Sequence, residues 1–284
     1  MPTQRSALVN SSMVVGSIVS VQVGGAVAAT VFDEVGSSGM VLLRLGFAAV
    51  ILCAFSRPTL RGRSGRDWAV TAAFGVLTAV VCLTGYAAVD RLPLGLVVTI
   101  QLLGPLGLAT AMSRRAREFA AAAVAVGGVI LLGETGGTID GLGVAYSLIG
   151  AAAWAGAILL NAETGRRTDG VDGLAMAIAV AAVVVAPIGI IGGGSALLRP
   201  GVLLIGVAVA MMTSVINFAL ELAALRQMSP RTFGVMMSLN PVMAAFAGFV
   251  VLDQRLGALQ LVGIALVIVA SAVTASGADS PAGN

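Results

Sequence analysis

The sequence contains no lysine and no histidine, and only two cysteines, two tryptophans and two tyrosines among its 284 residues. Charge is equally scarce. Asp, Glu, Lys and Arg together make up 10% of the chain, against roughly 25% in a soluble globular domain. Each shortage excludes something. Without histidine there is no imidazole base and no imidazole metal ligand. Cys53 and Cys82 lie inside apolar runs, where they fit packing rather than a disulfide or a metal pair. No acidic or thiol cluster has metal-ligand spacing, no nucleotide-binding Walker A loop occurs, and no nucleophile–base pair stands out. No cofactor, no metal and no enzymatic activity are therefore expected.

What is present is apolar. Hydrophobic residues form 58% of the chain, so a soluble fold would carry a surface as oily as its core. The composition implies an integral membrane protein. Ten apolar segments can be marked: Met13–Phe32, Met40–Phe55, Trp68–Val89, Leu92–Met112, Phe119–Leu132, Leu142–Leu160, Leu174–Ile191, Val202–Leu225, Thr232–Leu252 and Leu256–Ala275. Most approach the about 20 residues that span a bilayer. Lipid cannot satisfy backbone polar groups, so each segment is expected to be an α-helix. The alternation of a β-barrel strand is missing.

The charges orient the helices. A net charge of +3 and 16 basic residues, all arginine, are compatible with nucleic acid. The arginines sit in short loops, however, with no basic domain, and membrane orientation explains them better. With the N-terminus in the cytoplasm, that side holds Arg5, Arg57, Arg61, Arg63, Arg66, Arg114, Arg115, Arg117, Arg166, Arg167, Arg226 and Arg231, whereas the other holds Arg91, Arg199 and Arg255. The other side also holds Asp33, Glu34, Asp90, Glu134, Asp140 and Asp253. Both termini are thus expected in the cytoplasm. A competing reading takes Arg5, the first apolar run and Ala26-Val27-Ala28 as a signal peptide, but its removal would leave one half unpaired.

The chain repeats itself. Shifted by 136 residues, Pro105 meets Pro241, Ala109 meets Ala245, Ala111 meets Ala247 and Gly127 meets Gly263. Five crossings per half predict two inverted repeats, a pattern of secondary transporters whose sites lie at broken helices. The expected organisation is a cytoplasmic N-terminus over 1–12, a first five-helix repeat over 13–133, a second over 142–275, and a disordered cytoplasmic tail over 276–284.

Proline removes a backbone donor and disturbs the preceding turn. Gly104-Pro105 and Asn240-Pro241 can each start a half-helix whose positive end suits a carboxylate; a simple kink is the plainer alternative. The intramembrane charges are Arg44 and Glu221. Such groups face protein or water. Glu221 reads as a substrate-amine partner or proton carrier, or else as a partner of Arg226 or a helix-end cap. Arg44, five residues past an expected turn at Gly39, reads as a structural anchor between helices. Among neutral residues, Gln22, Gln101, Asn217 and Asn240 are the most costly to bury and the strongest binding candidates. Tyr86 and Trp154 are candidate walls, and Ser238 precedes the second break. Serines and threonines more often satisfy helix carbonyls.

Several stretches resemble the drug/metabolite transporter superfamily, in its ten-helix EamA type, and most of all the bacterial threonine/homoserine exporters. They are Ser20-Val-Gln-Val-Gly-Gly25, Leu43-Arg44-Leu45, Leu92-Pro-Leu-Gly95 with Gly104-Pro105 and Ser113-Arg-Arg115, Leu220-Glu221-Leu222, Ser229-Pro-Arg-Thr-Phe-Gly234 and Met237-Ser-Leu-Asn-Pro241. The likeness runs nearly end to end. It implies export of small amino acids or related metabolites across the bacterial inner membrane by alternating access, driven by protons, from a monomer or homodimer. Exporters of that group commonly carry acids where this chain has Gln101, Asn240 and Gln254. Amides can hydrogen-bond an amino acid but cannot carry a proton, which leaves Glu221 as the proton carrier. Two other functions stay open at this point: a drug or organic-cation effluxer, and a membrane scaffold or receptor that transports nothing.

Overall fold

The structure, a computed structural model, describes residues 4–59, 62–112, 116–133, 140–168, 171–225 and 227–277. Arg61, Arg114, Arg115, Glu134, Arg226 and the chain beyond Gly277 lie outside the described residues, as do the side chains of Arg5, Arg117 and Arg231. The described chain is helical throughout its ordered elements. In order these are α1 (Gln4–Ala29), α2 (Phe32–Ser56), α3 (Gly65–Val89), α4 (Leu94–Gln101), α5 (Leu103–Met112), α6 (Ala116–Gly133), α7 (Gly141–Arg167), α8 (Asp172–Gly193), a 3-10 turn (Gly194–Leu198), α9 (Pro200–Ala210), a π-helical segment (Met211–Ile216), α10 (Asn217–Leu225), α11 (Pro230–Met237), α12 (Asn240–Leu252) and α13 (Ala258–Gly277).

These elements make up the ten predicted segments, three of which are interrupted. The fourth is α4 with α5, the eighth is α9, the π segment and α10, and the ninth is α11 with α12. Among the described residues nine helices are long and apolar enough to cross a membrane. The fifth segment, α6, spans 18 residues, of which Phe119–Val129 count as described apolar helix. The last helix reaches Gly277, into the stretch predicted as a disordered tail.

Local chemistry sets the ends. Ser64 and Asp67 form a reciprocal capping box at the start of α3, so two orphan donors are satisfied there. Asp140 caps α7 by accepting from Leu142 and Gly143. Ser229 caps α11, with Pro230 in the first turn, where a missing N–H costs nothing. The second segment departs from expectation. No turn occurs at Gly39; the helix begins at Phe32 and bends at Gly36, whose φ of +66° suits glycine alone. Gly39 instead lies inside α2, pressed on α8, where a Cβ would sit 3.1 Å from Gly193 Cα. Arg44 therefore lies about two turns past the bend at Gly36, well inside the helical part of α2.

Packing rests on small residues. Lipid tails are as apolar as leucine, so membrane helices associate through close contact rather than hydrophobic burial. The main contacts pair α2 with α8, α3 with α7 and α8, α6 with α13, α4 with α12, and α1 with α12, α10 and the π segment. A Cβ on Gly128 of α6 would meet Gly263 O of α13 at 2.8 Å, and one on Gly95 of α4 would meet Ala245 Cβ of α12 at 2.9 Å. Large apolar side chains such as Phe55, Ile191 and Phe246 point outward, while Ser17, Gln22, Thr213, Ser214 and Asn240 are buried. An oily exterior with the few polar side chains turned inward is the arrangement a bilayer favours. The pair α3–α7 is also pinned at both ends by ion pairs, Asp67–Arg167 at 3.0 Å and Arg91–Asp140 at 2.8 Å.

Candidate substrate cavity

The first proline break keeps α-helical bonding across it, and the second is a tightened turn. At the first, Leu102 N–H still donates to Val98 O and Leu106 N–H to Leu102 O. At the second, Ser238 N–H donates to Val235 O, Leu239 N–H to Met236 O and Met243 N–H to Leu239 O. The plainer alternative, a kink, describes this geometry better than an open half-helix with free amides. Pro241 leaves the carbonyl of Met237, four residues back, without its usual donor. The Asn240 side chain fills that gap, its Nδ2 donating to Met237 O at 2.9 Å. Its Oδ1 accepts from Gln22 Nε2 at 2.9 Å. Asn240 thus joins the break in α11–α12 to α1.

Beside these breaks lies a cavity of about 410 Å³. It is bounded by α1, α2, α3, α4, α7, α8, the π segment and α10, and Met237 and Asn240 complete its wall. Gln22, Tyr86, Gln101, Trp154, Asn217, Glu221 and Asn240 all line it. Residues 200 positions apart thus meet beside it, as when Ser17 Oγ donates to Asn217 Oδ1 at 2.7 Å. Gly104, Pro105 and Ser238 are not among the lining residues. Gly104 is buried against α7, where any Cβ would collide with the Ala151 carbonyl. Ser238 Oγ turns back to Gly234 O. Their geometry is that of helix contact and helix break. Another crevice, between α12 and α13, is larger, at about 560 Å³, but almost wholly apolar, with Phe246 and Phe249 on its wall. It has the character of a lipid-facing groove.

Polar groups inside the cavity form three clusters. The first is Asn217 and Glu221, backed by Ser17 of α1. Ser17 also reaches Glu221 Oε1 at 3.3 Å, and Asn217 and Glu221 share one face of α10, one turn apart. The second is Gln22 with Asn240. The third is Arg44 with Tyr86: Arg44 NH1 donates to the Tyr86 hydroxyl at 3.3 Å, and the guanidinium carbon lies 5.5 Å from the ring centroid, within cation–π range. Tyr86 is held in turn by Phe32, with ring centroids 5.5 Å apart. Among the described residues, neither Arg44 nor Glu221 forms an ion pair. The Arg226 partner considered for Glu221 is outside the described residues.

The π segment helps position Glu221. Extra residues in a turn rotate the later part of a helix relative to the earlier part, and such segments recur at functional sites. Thr213 and Ser214 from this segment line the cavity, and Ser20 Oγ secures its Met212 carbonyl at 2.7 Å. Thr213 otherwise bonds its own helix at Val209 O. Sequence reasoning singled out neither the π segment nor the cavity residues Phe74, Gly85 and Phe218. The phenylalanines resemble any lipid-facing residue in the sequence. Ser17 is one serine among several in the apolar segments, and only its tertiary partners distinguish it. Gln254, expected near the end of the ninth helix, is outside the cavity and ties the two halves of the chain together. Its Oε1 accepts from Leu94 N–H at the start of α4, at 3.0 Å.

Comparison with known proteins accords with this architecture. Residues 141–276 match the EamA-like transporter family. The chain is 33% identical over 259 residues to the threonine/homoserine exporter RhtA of Escherichia coli strain K12, covering 90% of this chain and 87% of that protein. It is 33% identical over 256 residues to the protein of the same name from Salmonella typhimurium strain SL1344, covering 89% and 86%. A crystal structure at 16% identity superposes with a TM-score of 0.64 over 93% of this chain and 96% of that one, which speaks for the fold alone. With exporters this similar along nearly the whole chain, the protein belongs to the EamA-like transporter family.

Proposed function

We propose that the protein is a secondary transporter of the bacterial inner membrane that exports a small amino acid such as threonine or homoserine. The observation that carries this reading is the cavity itself, which sets one cation, one anion and several amides inside an otherwise apolar bundle. The likeness to threonine/homoserine exporters supports the substrate class. In this reading Gln101 and Asn240 address one end of the substrate, Glu221 and Asn217 the other, and Tyr86 and Trp154 form walls. Asn240 spends its oxygen on Gln22 and one donor on Met237, so its contribution is mainly to hold the wall.

Alternating access follows from two inverted five-helix halves with both termini in the cytoplasm. The packing supports this exchange. Under the 136-residue shift, the pairs α2–α8 and α6–α13 map onto themselves, α3–α7 exchanges with the packing of α1 on α10 and the π segment, and α1–α12 exchanges with α5–α7. The doubly pinned α3–α7 pair would rock as a unit against α1–α10, opening the cavity to each side in turn. Glu221 is the proton-coupling candidate, because Gln101 and Asn240 cannot ionise.

A second reading draws support from the aromatic residues Phe74, Tyr86, Trp154 and Phe218 on the cavity wall: efflux of an organic cation. Arg44 on the same wall opposes a ligand that carries positive charge alone. Counterflow in proteoliposomes separates the cases. Labelled threonine or homoserine exchanging against the unlabelled amino acid supports the first; exchange of organic cations only supports the second; no exchange of any solute leaves a non-transporting scaffold.

A further inference from the structure

Arg44 is a half-buried cation without a counter-ion among the described residues. No carboxylate among the described residues approaches it within 4.0 Å. Its Nε is buried and has no hydrogen-bond partner, and the contact of NH1 with the Tyr86 hydroxyl engages a neutral group. A guanidinium offers five donors in a planar fork that matches a carboxylate. A buried charge is unfavourable unless it is paired. An arginine kept in this state on a cavity wall fits a partner that arrives with the ligand.

A second donor stands nearby. The Gln101 side-chain nitrogen is buried without a partner, and Gln101 lines the same cavity. It is cradled by two glycines: a Cβ on Gly150 would come within 2.7 Å of Nε2 and one on Gly85 within 3.1 Å. Gly85 immediately precedes Tyr86, so the Gln101 amide and the Arg44 guanidinium converge on the same turn of α3. The opposite charge, Glu221, sits with Ser17 and Asn217 on α1 and α10. The cavity therefore has a donor pole on α2, α3 and α4 and an acceptor pole on α1 and α10.

We infer that Arg44, held by Tyr86 and assisted by Gln101, receives the substrate's carboxylate, so that the cavity selects free zwitterionic amino acids over their neutral-ended derivatives. This rests on the transport reading above and deepens it. It moves the carboxylate from the proline breaks to α2 and gives Arg44 a role in specificity beyond anchoring.

The test uses purified full-length protein in proteoliposomes, with labelled L-threonine counterflow challenged by unlabelled L-threonine or L-threoninamide. The amide keeps the ammonium and side chain but lacks the negative charge. A charged hydrogen bond of this kind predicts that threonine competes about tenfold to a hundredfold better in the wild type. Arg44→Gln should remove that preference by weakening threonine while leaving threoninamide little changed. Tyr86→Phe and Gln101→Met should each narrow it. Equal loss of both ligands in folded Arg44→Gln, or an undiminished preference, would overturn the inference while the wild type's exchange of threonine still upholds the transport reading. If Arg44→Gln does not fold, Tyr86→Phe and Gln101→Met decide: a narrowed preference in either supports the inference, and an unchanged one in both overturns it. A wild type that exchanges no free amino acid overturns the transport reading and this inference together.

Discussion

The side-chain amide of Asn240 donates to the Met237 carbonyl at 2.9 Å, occupying the acceptor that Pro241 cannot serve. The proline makes the break and the asparagine before it heals the exposed carbonyl. Because the same side chain accepts from Gln22, the repair also locks α12 to α1. The two functions of the residue predict a graded response. Asn240→Ala leaves a buried carbonyl and a buried amide unpaired, and should cost about 1–3 kcal/mol of stability. Asn240→Asp keeps the acceptor for Gln22 but loses the donor, and should also be destabilising. Thermal unfolding in detergent measures both. Unchanged unfolding in Asn240→Ala would show that the repair contributes nothing.

Glu221 is the acid in the cavity, hydrogen-bonded by Ser17 at 3.3 Å. If it carries the coupled proton, Glu221→Gln should abolish transport driven by a pH gradient. Counterflow, which needs no net proton movement, should be weakened by the poorer hold on the substrate's ammonium but not abolished. Gradient-driven transport at the wild-type rate across a range of pH would remove Glu221 from the coupling mechanism.

Arg91 and Asp140 form a pH-dependent clasp outside the membrane spans. Asp140's carboxyl is held below the ordinary carboxylate range, first by the hydrogen bond from Arg91 and then by the Gly143 and Leu142 amides at the start of α7. A carboxyl depressed on folding contributes stability above its unfolded value of about 3.9 and loses it as pH falls through the lower folded value. Asp140→Asn preserves the helix cap but not the charge. The stability difference between wild type and this variant should be constant near neutrality and shrink below about pH 4. A difference that does not change with pH would assign the effect of Asp140 to capping alone.

Gly104 separates the two glycine roles. A methyl group there meets the Ala151 carbonyl of α7, whereas one at Gly107 meets nothing within 4 Å. Gly104→Ala should therefore destabilise by about 1–3 kcal/mol through overpacking, and Gly107→Ala should be neutral or mildly stabilising. Comparison of their unfolding temperatures checks this. Equal behaviour would place no close helix contact at Gly104.

Some of this is readable along the chain because its physics is local. Runs of apolar residues near the bilayer thickness set the ten segments, and proline's missing donor set breaks close to Pro105 and Pro241. The cost of burying an amide or a charge marked Gln22, Gln101, Asn217, Glu221 and Asn240, and all five line the cavity. Direction was not readable in the same way. Gly104 and Gly85 are both apolar-helix glycines, yet one faces the α7 backbone and the other the Gln101 amide. The bend at Gly36 and the π segment at Met211–Ile216 have no clear local signature.

Composition and residue chemistry alone therefore established a polytopic helical bundle, where its helices break, and which polar side chains are costly enough to need a purpose. Only the tertiary structure decided their partners. It tied Asn240 to Met237 and Gln22, Ser17 to Asn217 and Glu221, and left Arg44 beside Tyr86 with no carboxylate among the described residues. Hydropathy and backbone preference act on neighbours along the chain, whereas a side chain's partner depends on how helices rotate and approach, and that is settled jointly by the close contacts of the whole bundle.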